Sequence, residues 1–114
     1  MEYPPSFDDG RPPFDYELAN DLVGKYILVG LTYLNKRGEQ MRQEQFHGVV
    51  QRADPRDGIL VSLRGNREGE QYNLPPHTQA FLVADRGEYS LNSTGEVVVD
   101  PDYTSTWIIE QSDA

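Results

Sequence analysis

The chain has 114 residues, no cysteine, and 19 acidic against 10 basic side chains, for a formal net charge of -9. Its length suits one hydrophobic core rather than two, and the missing thiols exclude disulfide staples, thiol nucleophiles, iron-sulfur ligation and thiolate zinc sites. No apolar run approaches the roughly 20 residues needed to cross a bilayer. The opening MEYPPSFDDG carries acids and prolines where a secretory leader has basic and then apolar residues, so a soluble cytoplasmic protein without a membrane partner is expected.

Residues 1–14 hold four prolines, one glycine and three acids. Proline removes N–H donors and blocks helix interiors and central strands, so this stretch reads as an acidic tail, with Tyr3, Phe7 and Phe14 able to pin it onto the body. Asp15 then precedes YELANDLV, in which Leu18, Ala19 and Leu22 recur at helical spacing. A short helix is expected, capped by Asp15 and stopped at Gly24.

From Lys25 onward the period becomes two. KYILVGLTYL is nearly continuously apolar, as in a strand covered on both faces or strongly bent. NKRG turns the chain into QEQFHGVVQRA, DPRDG turns it into ILVSLR, and EQYNL, AFLVA, EYSL, EVVV and TSTWII follow as shorter strands. Ile59, Val61 and Leu63 share one face and form the expected core side of their strand. Asp54, Asp57 and Gly58 read as turn chemistry around Pro55. Gly30 and Gly48 interrupt good strands at a propensity cost of about 0.5–1 kcal/mol each, which is tolerated where a strand bends or another backbone comes close. These features lead to the expectation of a mainly β protein: a small, strongly bent, SH3-like or Sm-like β-barrel with one short N-terminal helix. In that reading residues 15–110 are the single domain and residues 111–114 a short polar tail.

The run from DYELANDLV through GKYILVGL and FHGVV to ILVSL resembles the first motif of the Sm-like family of small β-barrels. Gly48 matches that family's strand glycine and Asp54 its loop aspartate. The resemblance implies a five-stranded, strongly bent barrel, assembly into six- or seven-membered rings and RNA binding in the pore. Gly58 stands where the family has its base-holding asparagine, with Asp57 where a hydrophobic residue precedes it. The second family motif, an arginine-glycine pair after a late apolar strand, has no counterpart, since Arg64-Gly65 comes a strand too early and Arg86-Gly87 follows an aspartate.

No catalytic, metal or cofactor signature emerges. His47 and His77 are too far apart in sequence for a ligand pair, and His47 is suited either to facing solvent on the hairpin or to meeting an acid across the sheet, while His77 suits a loop contact. GNREGEQ lacks the lysine and helix of a phosphate cradle, and the aspartates of DPRDG and DPDY lack calcium-loop spacing.

Function is therefore expected at the surface. Charge is segregated along the chain: residues 1–24 sum to -5, residues 25–67 to +4 and residues 68–114 to -8. Acidic flanks attract basic protein surfaces, whereas the basic middle can attract phosphate. The preferred expectation is a non-enzymatic, small acidic protein-binding domain, of the inhibitor or immunity type, engaging a basic partner through Glu96, Asp100, Asp102 and Tyr103. The alternatives are a nucleic-acid-binding barrel using Arg42, Arg52, Arg56, Arg64 and Arg67, and a structural or accessory subunit that forms a homo-oligomer by pairing sheet edges.

Overall fold

A computed structural model describes residues 13–110. The tails expected over residues 1–14 and 111–114 lie outside these, except for Pro13 and Phe14. Helix α1 spans Tyr16–Leu22, and the Asp15 carboxylate caps it by accepting from the Leu18 N–H at 3.0 Å. Gly24 ends it at φ +85°, a backbone setting that costs a glycine little. The chain is then stitched directly onto a strand: the Gly24 N–H donates to the Val50 carbonyl at 2.8 Å and the Val50 N–H to that of Lys25 at 3.0 Å.

Eight strands follow, β1 (Tyr26–Leu34), β2 (Gln40–Asp54), β3 (Gly58–Leu63), β4 (Gln71–Leu74), β5 (Phe81–Val83), β6 (Glu88–Ser90), β7 (Val97–Val99) and β8 (Tyr103–Glu110). Six of them form one sheet in the order β4-β3-β2-β1-β8-β5, while β6 and β7 make a separate two-stranded hairpin. Every segment expected to be extended contains a strand. The central one is β1, antiparallel to β2 and parallel to β8, with Ile27 opposite both Gly48 and Tyr103.

The near-continuous apolar run of β1 has the first of the two physical causes anticipated for it. Ile27, Val29, Leu31 and Tyr33 join the main core with Phe46, Val50, Ile59, Val61, Leu63, Leu74, Phe81, Tyr103 and the helix residue Leu22. Leu28, on the opposite face, packs with Leu91 and Val98 of the hairpin region, bordered by Tyr26 and Tyr89. A strand covered on both sides has no position at which a polar residue is cheap. In β2 the alternation holds from Phe46 to Val50, a register shift between Val50 and Arg52 inserts Gln51, and Ala53 rather than Arg52 then meets the main core.

The expected closed barrel is not formed, and with it falls the SH3-like and Sm-like reading. Closure requires a ladder joining the two edge strands, yet β4 pairs only with β3 and β5 only with β8. Pro75 and Pro76 end β4 without N–H donors to extend its pairing, and the strands that would otherwise lengthen the sheet are diverted into the β6–β7 hairpin. The sheet is open and not strongly bent. The two glycines that pointed to bending serve other ends. A Cβ on Gly48 would collide with the Ser62 carbonyl oxygen and lie 2.9 Å from Leu63 Cα, so this glycine admits β3 rather than a barrel corner. Gly30 has open space around it.

Gly48→Ala is accordingly expected to destabilise the protein by about 1–3 kcal/mol, the usual range for forcing an extra methyl into a packed site. Gly30→Ala should fall within about 0.5 kcal/mol of the parent, as exposed changes without a clash do. Urea denaturation of both variants checks this, and equal effects at the two sites would refute it.

Candidate functional site

Behind the sheet, on the face covered by the hairpin, lies a buried polar cluster centred on His47. Its position on β2 opposite Leu28 turns it away from the main core, and its side chain is 8 % exposed. One ring nitrogen, Nδ1, is 2.7 Å from the Tyr26 hydroxyl, and the other, Nε2, is 3.2 Å from Glu96 Oε2. Because an ionised carboxylate only accepts, the neutral ring carries its proton on Nε2, and Tyr26 donates to Nδ1. Glu96 Oε2 also accepts the Asn66 N–H at 2.8 Å. Gly65, at φ +71°, leaves the room for this convergence: a Cβ there would collide with Glu96 Oε2 and sit 2.7 Å from His47 Nε2.

Burial pushes the Glu96 carboxyl up, but the hydrogen bonds from Asn66, His47 and Thr94 outweigh it and hold the group below the ordinary range. The Tyr26 phenol goes the other way, raised by burial, with Arg64 opposing and Glu96 reinforcing the rise. A tyrosine used as a nucleophile needs easier ionisation, not harder. The chemistry available here is therefore that of a clamp: an ordered tyrosine-histidine-glutamate chain that ties β1, β2, the turn after β3 and the segment leading into β7 together. The Ser93 N–H, donating to Gln45 Oε1 at 3.0 Å, adds a second tie along the same seam.

The four residues expected to bind a partner are placed differently from one another. Glu96 belongs to the clamp. Tyr103 is buried, and its hydroxyl makes a short hydrogen bond to Asp21 Oδ2 on α1. That bond, with burial adding to it, pushes the Tyr103 phenol from 10.0 up to about 12, and the Tyr103 and Lys25 bonds draw the exposed Asp21 carboxyl down. Asp102 Oδ2 accepts the Tyr26 N–H at 2.9 Å, and Asp100 Oδ1 accepts the Gly87 N–H at 2.7 Å. Asp100 is also the one non-glycine at positive φ (50°) among the described residues.

These bonds gather one end of the molecule. The Ala84 N–H donates to the Asp102 carbonyl at 3.1 Å, bringing Asp85 alongside, while Glu88 stands opposite Val99 across the hairpin. Asp21, Asp85, Glu88, Asp100 and Asp102 thus lie around the same crossing of strands. Among the described residues two cations are paired into them, Lys25 with Asp21 at 3.2 Å and Arg86 with Asp100 at 3.6 Å. Between these acids Leu82, Val83 and Val99 are exposed at 67 %, 79 % and 53 %. Asp21, Asp85 and Glu88 are not among the expected partner-binding residues because they are separated along the chain and share no motif, and the exposure of Leu82 and Val83 has no signal in AFLVA, which reads only as a short strand.

The five arginines of the basic middle expected to contact nucleic acid do not share one set of neighbours. Arg42 lies 3.9 Å over the Tyr33 ring and pairs with Glu44, and Arg67 lies over Phe46 and pairs with Glu70. Arg52 and Arg56 sit by Asp54 at the far turn, and Arg64 by Tyr26. Arg42 and Arg52 are separated by roughly 33 Å of strand at 3.3 Å per residue. Asp54, the match to the Sm-like loop aspartate, accepts the Arg56 and Asp57 N–H groups of its own turn at 2.7 and 2.9 Å. His77 stacks on Trp107 with ring centres 5.7 Å apart. A shallow groove of about 280 Å³ is lined by Pro13, Phe14, Asp15, Leu18, Thr78 and Gln79, none of them in the clamp. Among the described residues no three His, Asp or Glu side chains gather to hold a metal ion, and no helix is long and apolar enough to cross a membrane.

The two titrating pairs affect stability with opposite signs. Glu96 ionises more readily in the fold than in the unfolded chain, so its contribution is present above the ordinary carboxylate range and lost as pH falls through the folded value. Tyr103 holds its proton more tightly in the fold, so its contribution is full below pH 10.0 and lost as pH rises towards about 12. In denaturation curves taken across pH, Glu96→Gln should flatten the acid limb and Tyr103→Phe the alkaline limb. Unchanged slopes in both variants would remove these groups from the pH dependence. Gly65→Ala, strained at positive φ and clashing with the clamp, should lower stability by more than about 1 kcal/mol by the same measurement.

Comparison with protein-family models, with curated proteins and with solved structures found no match to this chain.

Proposed function

We propose that the protein is a non-enzymatic binding domain that engages a basic protein surface through its acidic end, in the manner of a small acidic inhibitor or immunity-type protein. The observation that carries this reading is the exposed apolar edge formed by Leu82 and Val83, one on each face of the sheet, with the acids Asp21, Asp85, Glu88, Asp100 and Asp102 at the same end of the molecule. An apolar centre with a polar, single-sign rim is the anatomy of a specific interface: desolvation of the centre supplies affinity, and the rim charges supply orientation and speed of encounter. The rim is held by internal bonds. Asp21, Asp100 and Asp102 each give one oxygen to a partner inside the fold, and the other oxygen of Asp21 and of Asp100 faces a cation, Lys25 and Arg86 respectively. Their ordering cost is met on folding rather than on binding.

Asp85 and Glu88 are the rim acids whose side chains make no hydrogen bond to another described residue, so neutralising them leaves the described bonds of the fold in place. In low salt, the double variant Asp85→Asn, Glu88→Gln should bind a basic globular protein about tenfold more weakly than the parent, mainly through slower association. Added salt should weaken the parent more steeply than the variant. Titrations that show no binding by the parent at low salt would refute the proposal.

A further inference from the structure

The six-stranded sheet has two edges, and they are guarded differently. At β4, Gln71 and Asn73 alternate with the half-buried Tyr72 and buried Leu74, Glu70 precedes the strand, and Pro75-Pro76 closes it. Charge and proline at an edge discourage pairing with another chain. At β5 the sequence Ala80–Ala84 is AFLVA, with no charge and no proline. Its inner side pairs with Tyr103–Ser105 of β8, and among the described residues nothing pairs with its outer side.

Side-chain direction reinforces the contrast. Successive residues of a strand point to opposite faces, so Leu82 and Val83 stand on different sides of the sheet. Both are exposed, at 67 % and 79 %. A strand added beside β5 would find apolar contact above and below its own backbone, as well as backbone donors and acceptors. The surroundings also select its charge. Asp85 follows the edge directly, Asp102 is joined to Ala84 by the 3.1 Å backbone hydrogen bond, and Asp21 is bound to Tyr103, the partner of Val83 in the ladder.

We infer that β5 is a strand-addition site, and that its occupant is an extended, lysine- or arginine-rich segment of a partner protein with apolar or β-branched residues at alternate positions. This rests on the acidic-end reading and specifies its partner. Main-chain hydrogen bonds to β5 hold the segment, Leu82 and Val83 contact its alternate side chains, and the carboxylates around the edge choose basic sequences over neutral or acidic ones.

The test uses the full chain and the peptide KVKTKVKT, beside a second peptide of the same sequence N-methylated at alternate residues so that one edge of it cannot form a ladder. The unmodified peptide should bind at low salt and slow amide hydrogen exchange at Val83, whose N–H faces the open edge, while methylation on the pairing edge should weaken binding about tenfold or more. Val83→Lys, at a side chain exposed enough to leave the fold intact, should weaken the unmodified peptide to a similar degree through like-charge repulsion. Equal binding of the methylated and unmodified peptides, with no added protection in β5, would overturn strand addition. The acidic-end reading would survive that result if basic-protein binding still fell with Asp85→Asn, Glu88→Gln. Sedimentation showing a dimer of the free protein with β5 already protected would also overturn the inference, because the occupant would then be a second copy.

Discussion

The structure depends on the burial of β1 from both faces. Its main-chain groups are committed to β2 on one side and β8 on the other, and its side chains alternate between the large core around Phe46 and Leu63 and the smaller one around Leu91 and Val98. Once Leu28 faces away from the large core, something must cover it, and the β6–β7 hairpin does so. A hairpin of three-residue strands cannot hold itself together in water. Its attachment therefore has to come from contacts with the sheet, and the His47 clamp and the Gln45–Ser93 bond supply them.

Electrostatics and packing are coupled through that attachment. Glu96 is held ionised beside His47 only because Gly65 has no side chain and Asn66 offers its N–H. The same register that sets Ile27 beside Tyr103 puts Asp102 under the Tyr26 N–H and the Tyr103 hydroxyl beside Asp21. The acidic end is thus a consequence of where β8 enters the sheet. Parallel pairing of β1 with β8 brings residues near the start of the chain against residues near its end, and their carboxylates arrive together. Repulsion among them is tolerated because three take internal hydrogen bonds and two face cations.

Much of the secondary structure was legible in the sequence because its signals are local. Asp15 caps the helix it was expected to cap, Gly24 ends it, Asp54 and Gly58 form the expected turn, and Ile59, Val61 and Leu63 form the expected core face. His47 is buried rather than facing solvent, and the acid it meets, Glu96, comes from the segment leading into β7 rather than from across the sheet, which nothing near His47 in sequence identifies. The barrel was not legible, and the Sm-like resemblance misled for a physical reason. A strand glycine followed by a turn aspartate reports a close backbone approach and an Asx turn, and both occur in an open sheet as readily as in a closed one. Gly48 makes room for the Ser62 carbonyl here without any barrel corner.

By itself the sequence determined what alternation, capping and turn chemistry can encode: a mainly β chain with one short helix, a doubly covered first strand, and acidic flanks around a basic middle. Only the tertiary structure decided which edges stay open, that Glu96 turns inward, and that Asp21, Asp85, Glu88 and Asp102 come to the same end of the molecule as the β5 edge. Those outcomes depend on pairings between residues as far apart as Ile27 and Tyr103. Local preference says which segments extend, but the choice of neighbour is made by the whole set of faces that must be buried at once.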